Sequence, residues 1–167
     1  LRTEPALIAQ PVSFGQVKKD DTSSVSLKIH NRASYDIVVK SISNSTAQFW
    51  ASVALPDTIL GTDSLDVSVF FKPSLFGSFS DLLVVSPDSG AIRVPLSGSS
   101  PSPNLLPSHT FIGFGTVPLN ASKNWPGFFL RPSSINGVRV DSVYAKTPAF
   151  QFYLQSGDLY RMKRQRN

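Results

Sequence analysis

The sequence contains no cysteine, a single methionine and no long hydrophobic run. The absence of cysteine excludes disulfides, thiolate chemistry and Cys-ligated zinc, and it leaves the redox compartment open. A membrane-spanning helix needs roughly 20 apolar residues, and no segment approaches that length, so we expect no membrane span. No recognisable signal peptide starts at Leu1, and we expect the chain to be a processed or excised piece.

Residues that carry chemistry are also scarce. The two histidines, His30 and His109, lie far apart in the sequence and lack the spacing of a metal site, and the single glutamate is Glu4. No Gly-x-Ser-x-Gly motif or comparable nucleophile arrangement occurs. The acidic residues between Asp57 and Asp66 do not follow EF-hand spacing. We therefore predict a non-enzymatic protein without a metal site or cofactor.

The positive charge is concentrated at the end of the chain. The formal net charge is +5, but four of the 16 basic residues lie within the last seven positions, and the remaining 12 are nearly balanced by 11 acidic residues. We interpret this run as a basic tail and expect no nucleic-acid binding, because a short terminal run without an aromatic groove is weak support for it. The four residues are Arg161, Lys163, Arg164 and Arg166.

The composition favours strands. Twelve Phe, 13 Pro and many Val, Ile and Ser suit pleated strands and tight turns, and no long segment has uninterrupted helical periodicity. The predicted fold class is all-β. Strands are predicted in the first hundred residues at Ala6–Ala9, Val12–Phe14, Val25–His30, Ile37–Ile42, Phe49–Val53, Leu65–Phe71, Phe79–Val85 and Ala91–Leu96.

Part of the first hundred residues recurs in the second part of the chain. Val12–Val17 (VSFGQV) returns as Ile112–Val117 (IGFGTV), an offset of 100. Two more blocks match at an offset of 101, namely Val39–Ile42 with Val140–Val143 and Ala47–Phe49 with Pro148–Phe150. Matches in the same order at nearly the same offset predict tandem units of about 100 residues, the size of an immunoglobulin-like β-sandwich.

The second unit is predicted to be incomplete. We place a complete sandwich at residues 1–99, a Pro/Ser linker at 100–107, and the front part of a second sandwich with the basic tail at 108–167. Strands are predicted there at Phe111–Phe114, Gly127–Leu130, Gly137–Val143 and Phe150–Leu154. Far fewer residues follow Phe150 than follow its match Phe49 within the first unit, so about half a sandwich is missing.

The order of motifs in the first unit resembles a known family. The matching segments are Phe14–Val17, Lys28–Asn31, Ser41–Ile42 with Phe49, Gly61 before Leu65–Phe71, Phe71–Pro73 with Gly77 and Phe79, and Val94–Gly98. This order resembles the Hydin/ASH-type, major-sperm-protein-like immunoglobulin domains, including the bacterial choice-of-anchor repeats. The second unit matches less well, since Pro132 stands where the strand-end Asn would fall.

The resemblance implies a structural or adhesive module that acts as a spacer or protein-interaction domain and has no chemistry of its own. The segment Leu55–Leu65 looks more like the exported bacterial repeats, which implies an extracellular or cell-surface location. Two alternatives remain open: a filament or dimer subunit completed by β-strand addition, and a ciliary or centrosomal scaffold. A protein partner, neighbouring domain or subunit is expected in each case.

Aromatic residues in the second unit are the candidate interaction surface. Phe128 and Phe129 are consecutive in a predicted strand, so they should face opposite ways and at least one should leave the core. Trp125 precedes Pro126 and is predicted to be exposed, and Tyr153 joins the set. The predicted surface therefore comprises Trp125, Phe128, Phe129 and Tyr153. Core packing is the competing interpretation, and a carbohydrate ligand lacks support.

Overall fold

A computed structural model describes residues 6–88, 90–125, 127–154 and 160–164, and for residues 152–154 and 160–164 it describes the backbone alone. The chain divides into two compact units, Leu1–Ser102 (unit 1) and Pro103–Asn167 (unit 2). All secondary structure in the described residues is β-structure, so the predicted fold class is confirmed. No helix in this part of the chain is long and apolar enough to cross a membrane.

Unit 1 is a sandwich of two sheets. The first sheet has the order β1-β3-β7-β5 and contains β1 (Leu7–Ala9), β3 (Ser23–Asn31), β5 (Phe49–Ser52) and β7 (Ser64–Phe71). The second has the order β2-β9-β8-β4-β6 and contains β2 (Val12–Gln16), β4 (Ile37–Ser43), β6 (Asp57–Ile59), β8 (Gly77–Pro87) and β9 (Ile92–Ser100). Strand β2 runs parallel to β9, and the other pairs are antiparallel. All eight predicted strands of unit 1 are confirmed, whereas β6 was not predicted.

The core of unit 1 follows from period-two alternation. In β3, Leu27 and Ile29 are buried while Ser26 and Lys28 are exposed, because successive strand residues point to opposite faces. The same pattern runs through β7, β8 and β9. The two inner faces share one apolar cluster, which includes Val39, Phe49, Val67, Val69, Phe71, Leu83, Val85, Val94 and Leu96. This burial is the main stabilising contribution to unit 1.

A carboxylate fixes the connection between the two sheets at one end of unit 1. Asp81 of β8 accepts hydrogen bonds from the backbone N–H and hydroxyl of Thr46, both at 2.8 Å, and from the N–H of Leu82 at 2.7 Å. The Asn44 amide and the Ser45 N–H also donate to it. Burial raises the pKa of Asp81, but the hydrogen bonds outweigh burial and lower the pKa to about 2.

Acid should therefore weaken unit 1 through Asp81. Since the folded-state pKa lies below the unfolded value of 3.8, the stabilisation is present above pH 4 and is lost as the pH falls towards 2. We expect Asp81→Asn to lower the free energy of unfolding at pH 7 by about 1 kcal/mol, allowing for solvent screening. The same change should make the free energy of unfolding less dependent on pH between 4 and 2.

Urea titrations at several pH values measure both effects. Asp66→Asn is the matched control, because Asp66 makes an exposed ion pair with Lys28 at 3.6 Å and its removal should cost under about 0.5 kcal/mol. If the free energy of unfolding of Asp81→Asn fell with pH below 4 as steeply as that of the parent protein, Asp81 would not be the group responsible.

Unit 2 contains short strands. They are β10 (Leu105–Pro107), β11 (Lys123–Trp125), β12 (Leu130–Pro132), β13 (Gln151–Leu154) and β14 (Tyr160–Arg164). Strands β10 and β12 form one antiparallel ladder, and a second sheet has the order β11-β14-β13. In the described residues, unit 2 has no helix and no sheet of more than three strands.

Several predictions for the second part of the chain differ from the structure. The segments Phe111–Phe114 and Gly137–Val143 are not strands, and Gly127–Phe129 precedes β12 rather than belonging to it. Strands cover parts of the predicted linker, because β9 extends to Ser100 and β10 lies within 100–107. The expected basic tail contains β14, whose backbone pairs with both β11 and β13; Arg166 lies outside the described residues.

Candidate interaction surface

Unit 2 contains an apolar cleft of about 470 Å³. Phe114 is buried and forms its floor, and the ring centroid of Phe150 lies 5.8 Å from that of Phe114. Phe128 and Ile112 are half-buried in the wall. The complete lining is His109, Thr110, Phe111, Ile112, Phe114, Phe128, Ala145, Lys146 and Phe150. The cleft therefore presents aromatic surface to the solvent, with Lys146 as its one formally charged lining residue.

Two large aromatic side chains extend the apolar surface of unit 2. Phe111 is 81% exposed at the cleft, and Tyr144 is 79% exposed in the segment that leads to it. Their matches in unit 1, by the offsets of 100 and 101, are Pro11 and Ser43, which are exposed as well. Unit 2 thus places aromatic rings where unit 1 has a small or polar residue, although neither ring was among the predicted site residues. Phe111 and Tyr144 can be found from the sequence by comparing each exposed position of unit 1 with its match in unit 2.

The predicted site residues have different surroundings. Phe128 lines the cleft, whereas Phe129 does not, and the guanidinium carbon of Arg131 lies 4.6 Å from the centroid of the Phe129 ring. Trp125 is half-buried rather than exposed, because its ring packs edge-on against Phe114 at 6.4 Å. The Tyr153 backbone lies in β13, and its side chain lies outside the described residues.

Core positions of unit 1 are uncovered at their matches in unit 2. Val12, Val17, Val39 and Phe49 are buried in unit 1, at 8% exposure or less. Their matches in unit 2 are all half-buried, and they are Ile112, Val117, Val140 and Phe150. Apolar side chains that remain partly hydrated mark an interface that another surface can cover. We therefore take the cleft and its rim as the candidate interaction surface.

The candidate surface contains no arrangement suited to a metal ion. No group of three or more His, Asp or Glu side chains lies close enough to hold one anywhere in the described residues. His109 is exposed and its Nδ1 lies 3.0 Å from the Ser108 hydroxyl, while in unit 1 His30 similarly contacts Ser64. Lys123 donates to the carbonyl of Phe114 at 3.0 Å, so it supports the cleft floor. The surface offers mainly apolar contact, and its polar lining residues are His109, Thr110 and Lys146.

Unit 1 also has an aromatic pair on its outer face. Trp50 of β5 and Phe70 of β7 are cross-strand neighbours, and their rings stack 5.2 Å apart at an interplanar angle of 7°. Such pairs stabilise a sheet by about 0.2–1 kcal/mol. Trp50 is 36% exposed, and its stacking against Phe70 accounts for its position within the sheet. We therefore assign this pair to sheet stability.

No protein-family model matches the chain, and no curated protein matches it. Among solved structures, it is similar to the ASH/PapD-like domain 7 of human CEP192, with 18% identity, 59% of this chain and 89% of that chain covered, and a TM-score of 0.49. It is also similar to SSP-19, an MSP-domain-like protein of Caenorhabditis elegans, with 19% identity, coverages of 52% and 92%, and a TM-score of 0.40. A protein of unknown function from Porphyromonas gingivalis W83 matches with 15% identity, coverages of 96% and 84%, and a TM-score of 0.48.

These likenesses concern the fold. Solved structures named as ASH/PapD-like and MSP-type domains are among those similar to the chain. The narrower resemblance to choice-of-anchor repeats stays a prediction. The sandwich of unit 1 is established by its own two sheets and shared core.

Proposed function

We propose that the chain is a non-catalytic, immunoglobulin-like protein-interaction module. Unit 1 provides a rigid sandwich that acts as a spacer, and unit 2 binds a protein partner through the cleft and its rim. The observation that carries this proposal is the half-buried state of Ile112, Val117, Val140 and Phe150, whose matches in unit 1 are core residues. Covering such apolar surface contributes roughly 25 cal/mol per Å².

A polypeptide fits this surface better than a small polar ligand does. The cleft floor is formed by Phe114 and Phe150, and its polar lining groups are those of His109, Thr110 and Lys146. Recognition of a carbohydrate requires several convergent hydrogen-bonding groups, whereas a protein partner can match an apolar surface with its own side chains. Aromatic residues are also enriched among those that dominate protein–protein binding energies.

An extracellular or cell-surface setting is part of the proposal. It is supported by the resemblance of Leu55–Leu65 to exported repeats. Fractionation of the cells that produce the protein tests this setting. Recovery with microtubule-associated proteins would instead favour the ciliary or centrosomal scaffold.

A photocrosslinker at the cleft tests the interaction function. With benzoyl-phenylalanine in place of Phe111, irradiation of the producing cells should give one dominant protein adduct, because this ring is 81% exposed beside the cleft. Tyr35 of unit 1, at 64% exposure, is the matched control position. Mass spectrometry of the adducts measures the outcome, and we expect roughly tenfold more adduct at position 111 than at 35. Equal amounts of protein adduct at both positions would contradict the proposal, and so would adducts that contain no partner protein.

A further inference from the structure

Strand β9 of unit 1 has a free edge along its first half. Strand β8 pairs with β9 over its whole length, from Ile92 to Ser100. On the other side, β2 pairs with β9 only from Leu96 to Ser99. No strand of the described residues pairs with residues 92–95 on that side. The five-stranded sheet is therefore bordered by β2 along one half of β9 and by β9 itself along the other.

The backbone groups of Arg93 face this free edge. The carbonyl of Ser99 accepts a hydrogen bond from the N–H of Val17 at 2.8 Å, so Ser99 directs its backbone groups away from β8. Backbone groups alternate between the two sides of a strand, and β8 pairs with β9 without a register shift, so Pro95 and Arg93 direct theirs to the same side. Pro95, which has no N–H, needs no acceptor in β8 at such a position. The free edge therefore presents the N–H and carbonyl of Arg93 and the carbonyl of Pro95.

A cavity of about 380 Å³ lies beside the same half of β9. Its lining comes from β1, at the edge of the first sheet, and from the start of β9 with the residue before it. Leu7 and Val94 are buried in its wall, at 2% and 1% exposure, whereas Ala9 and Ile92 are half-buried. A strand paired with the free edge would direct its inner side chains towards this cavity. The complete lining is Leu7, Ala9, Ala91, Ile92, Arg93 and Val94.

Arg93 adds an unpaired positive charge to this edge. Successive strand residues point to opposite faces, so the Arg93 side chain is exposed while Ile92 and Val94 face the core. Within the described residues Arg93 forms no ion pair, whereas Lys28 and Lys40 each contact an aspartate. Opposite charges on directly facing residues of two neighbouring strands stabilise the pairing. The edge therefore favours a strand with an acidic residue facing Arg93 and an apolar residue on either side of it.

We infer that the free half of β9 binds an extended segment of a partner protein, in which an acidic residue lies between two apolar residues. The segment adds one strand to the five-stranded sheet beside residues 92–95, and its backbone bonds to the N–H and carbonyl of Arg93. Its acidic side chain faces the Arg93 side chain, and its apolar side chains enter the cavity beside Leu7 and Val94. This site goes beyond the proposed function, because it belongs to unit 1 and uses none of the cleft residues of unit 2.

Amide hydrogen exchange of the full chain, followed by NMR, tests the site. The probe is the blocked peptide acetyl-Thr-Val-Glu-Val-Thr-amide, which has the expected pattern, and a chemical-shift titration gives its Kd. With peptide at roughly three times its Kd, exchange at the Arg93 amide should slow about fourfold, because this N–H gains an acceptor and exchanges only in the free chain. The Val94 amide faces β8 by the same alternation and is the internal control, which should not change.

Matched peptides and variants separate the charge from the apolar contacts. Glutamine in place of the peptide's glutamate should weaken binding to the parent chain about threefold and leave binding to Arg93→Gln unchanged, because the charge pair is then absent in both cases. Lys72→Gln, at an exposed lysine in the loop after β7, is the control for a general loss of positive charge and should bind the probe as the parent does. A peptide with serine in place of both valines should not bind. Equal Kd values for the glutamate and glutamine peptides on the parent chain overturn the inference.

The probe is also tested when joined to the chain. Attachment before Leu1 by a flexible Gly/Ser linker raises its effective concentration to the millimolar range, so the weak affinity of a short peptide does not decide the result. Absence of protection at Arg93 in this fusion overturns the inference. Protection at Arg93 that rises with chain concentration without peptide identifies a second copy as the occupant and also overturns it. Faster exchange at Arg93 after deletion of residues 1–5 does the same, because the chain itself then supplies the occupant.

Discussion

Replacing Asn31 with alanine is expected to lower the free energy of unfolding of unit 1 by about 3 kcal/mol. Asn31 is fully buried at the end of β3. Its amide donates to the carbonyl of Tyr35 at 2.8 Å and to those of Ile59 and Leu60 at 3.1 Å, and its side-chain oxygen accepts from the N–H of Ala33 at 2.9 Å. Because Ile59 belongs to β6, one side chain joins the first sheet to the second. Alanine leaves the carbonyl of buried Ile59 and three partly buried backbone groups without their partner.

Thermal unfolding measures this loss. For a unit of this size, about 3 kcal/mol corresponds to a fall in Tm on the order of 10–20 °C. The Trp125→Phe background leaves Trp50 as the single tryptophan, so fluorescence reports unit 1 alone. Asn31→Asp is the isosteric comparison: it replaces the donor with a buried carboxylate facing carbonyl oxygens, and it should destabilise at least as much at pH 7. A Tm within 3 °C of the parent protein in both variants would rule out the network as a major contribution.

The role of Asn31 shows where sequence reasoning about unit 1 ended. The motif predicted an asparagine at the end of a strand, and Asn31 does end β3. Its burial and its bonds to β6 depend on the approach of a distant strand, which was itself not predicted. Strand β6 is three residues long and buries Ile59 alone, so it is too short to show the apolar–polar alternation that predicts a strand. Longer strands such as β3 and β7 were predicted because their alternation is sustained.

The predictions for unit 2 failed where a strand needs a partner. Ile112–Val117 and Val140–Val143 resemble β2 and β4 in sequence, yet a β-strand is defined by hydrogen bonds to its neighbours. In unit 1 those neighbours are β8 and β9. The described residues of unit 2 contain no equivalent of either strand, so the side-chain pattern is repeated without the ladder. Strand β14 was missed for a different reason: its charge favoured a basic tail, although Tyr160 and Met162 alternate with Arg161 and Lys163.

The predicted surface and the candidate surface share their region of the chain and one residue of the cleft lining, Phe128. Phe128 lines the cleft, whereas Trp125 packs against Phe114 inside unit 2. The prediction relied on aromatic content and on strand alternation. Neither shows which side chains from distant parts of the chain pack against a given ring. Phe111 and Tyr144 emerge once exposed positions are compared between the repeats, because exposure at the first copy indicates exposure at the second. Burial of the matches in unit 1 then identifies Phe150 as an uncovered core residue.

Gly98→Ala is expected to destabilise unit 1 by about 3 kcal/mol, although it adds a single methyl group. A Cβ built at Gly98 lies 2.5 Å from Cε1 of Phe71 and 2.8 Å from its Cδ1. The Phe71 ring has no room to move, because it is fully buried among other rings. Its centroid lies 4.6 Å from that of Phe49, on which it stacks, and 5.5 and 5.6 Å from those of Phe14 and Phe79. The methyl group must therefore displace strand β9 or the aromatic cluster.

A double-mutant cycle with Phe71→Leu isolates this clash. Leucine lacks the outer ring atoms that approach Gly98, so it costs about 2 kcal/mol alone through lost packing but removes the steric conflict. Gly98→Ala in the Phe71→Leu background should then cost under about 1 kcal/mol, a coupling of about 2 kcal/mol. Gly137→Ala is the matched control, since its Cβ would meet no atom within 4 Å. Urea unfolding followed by Trp50 fluorescence gives the unit 1 values, and unit 2 is followed through Trp125. Additive costs for the Gly98 and Phe71 changes would show that β9 yields, and that the aromatic cluster is not the rigid centre of the sandwich.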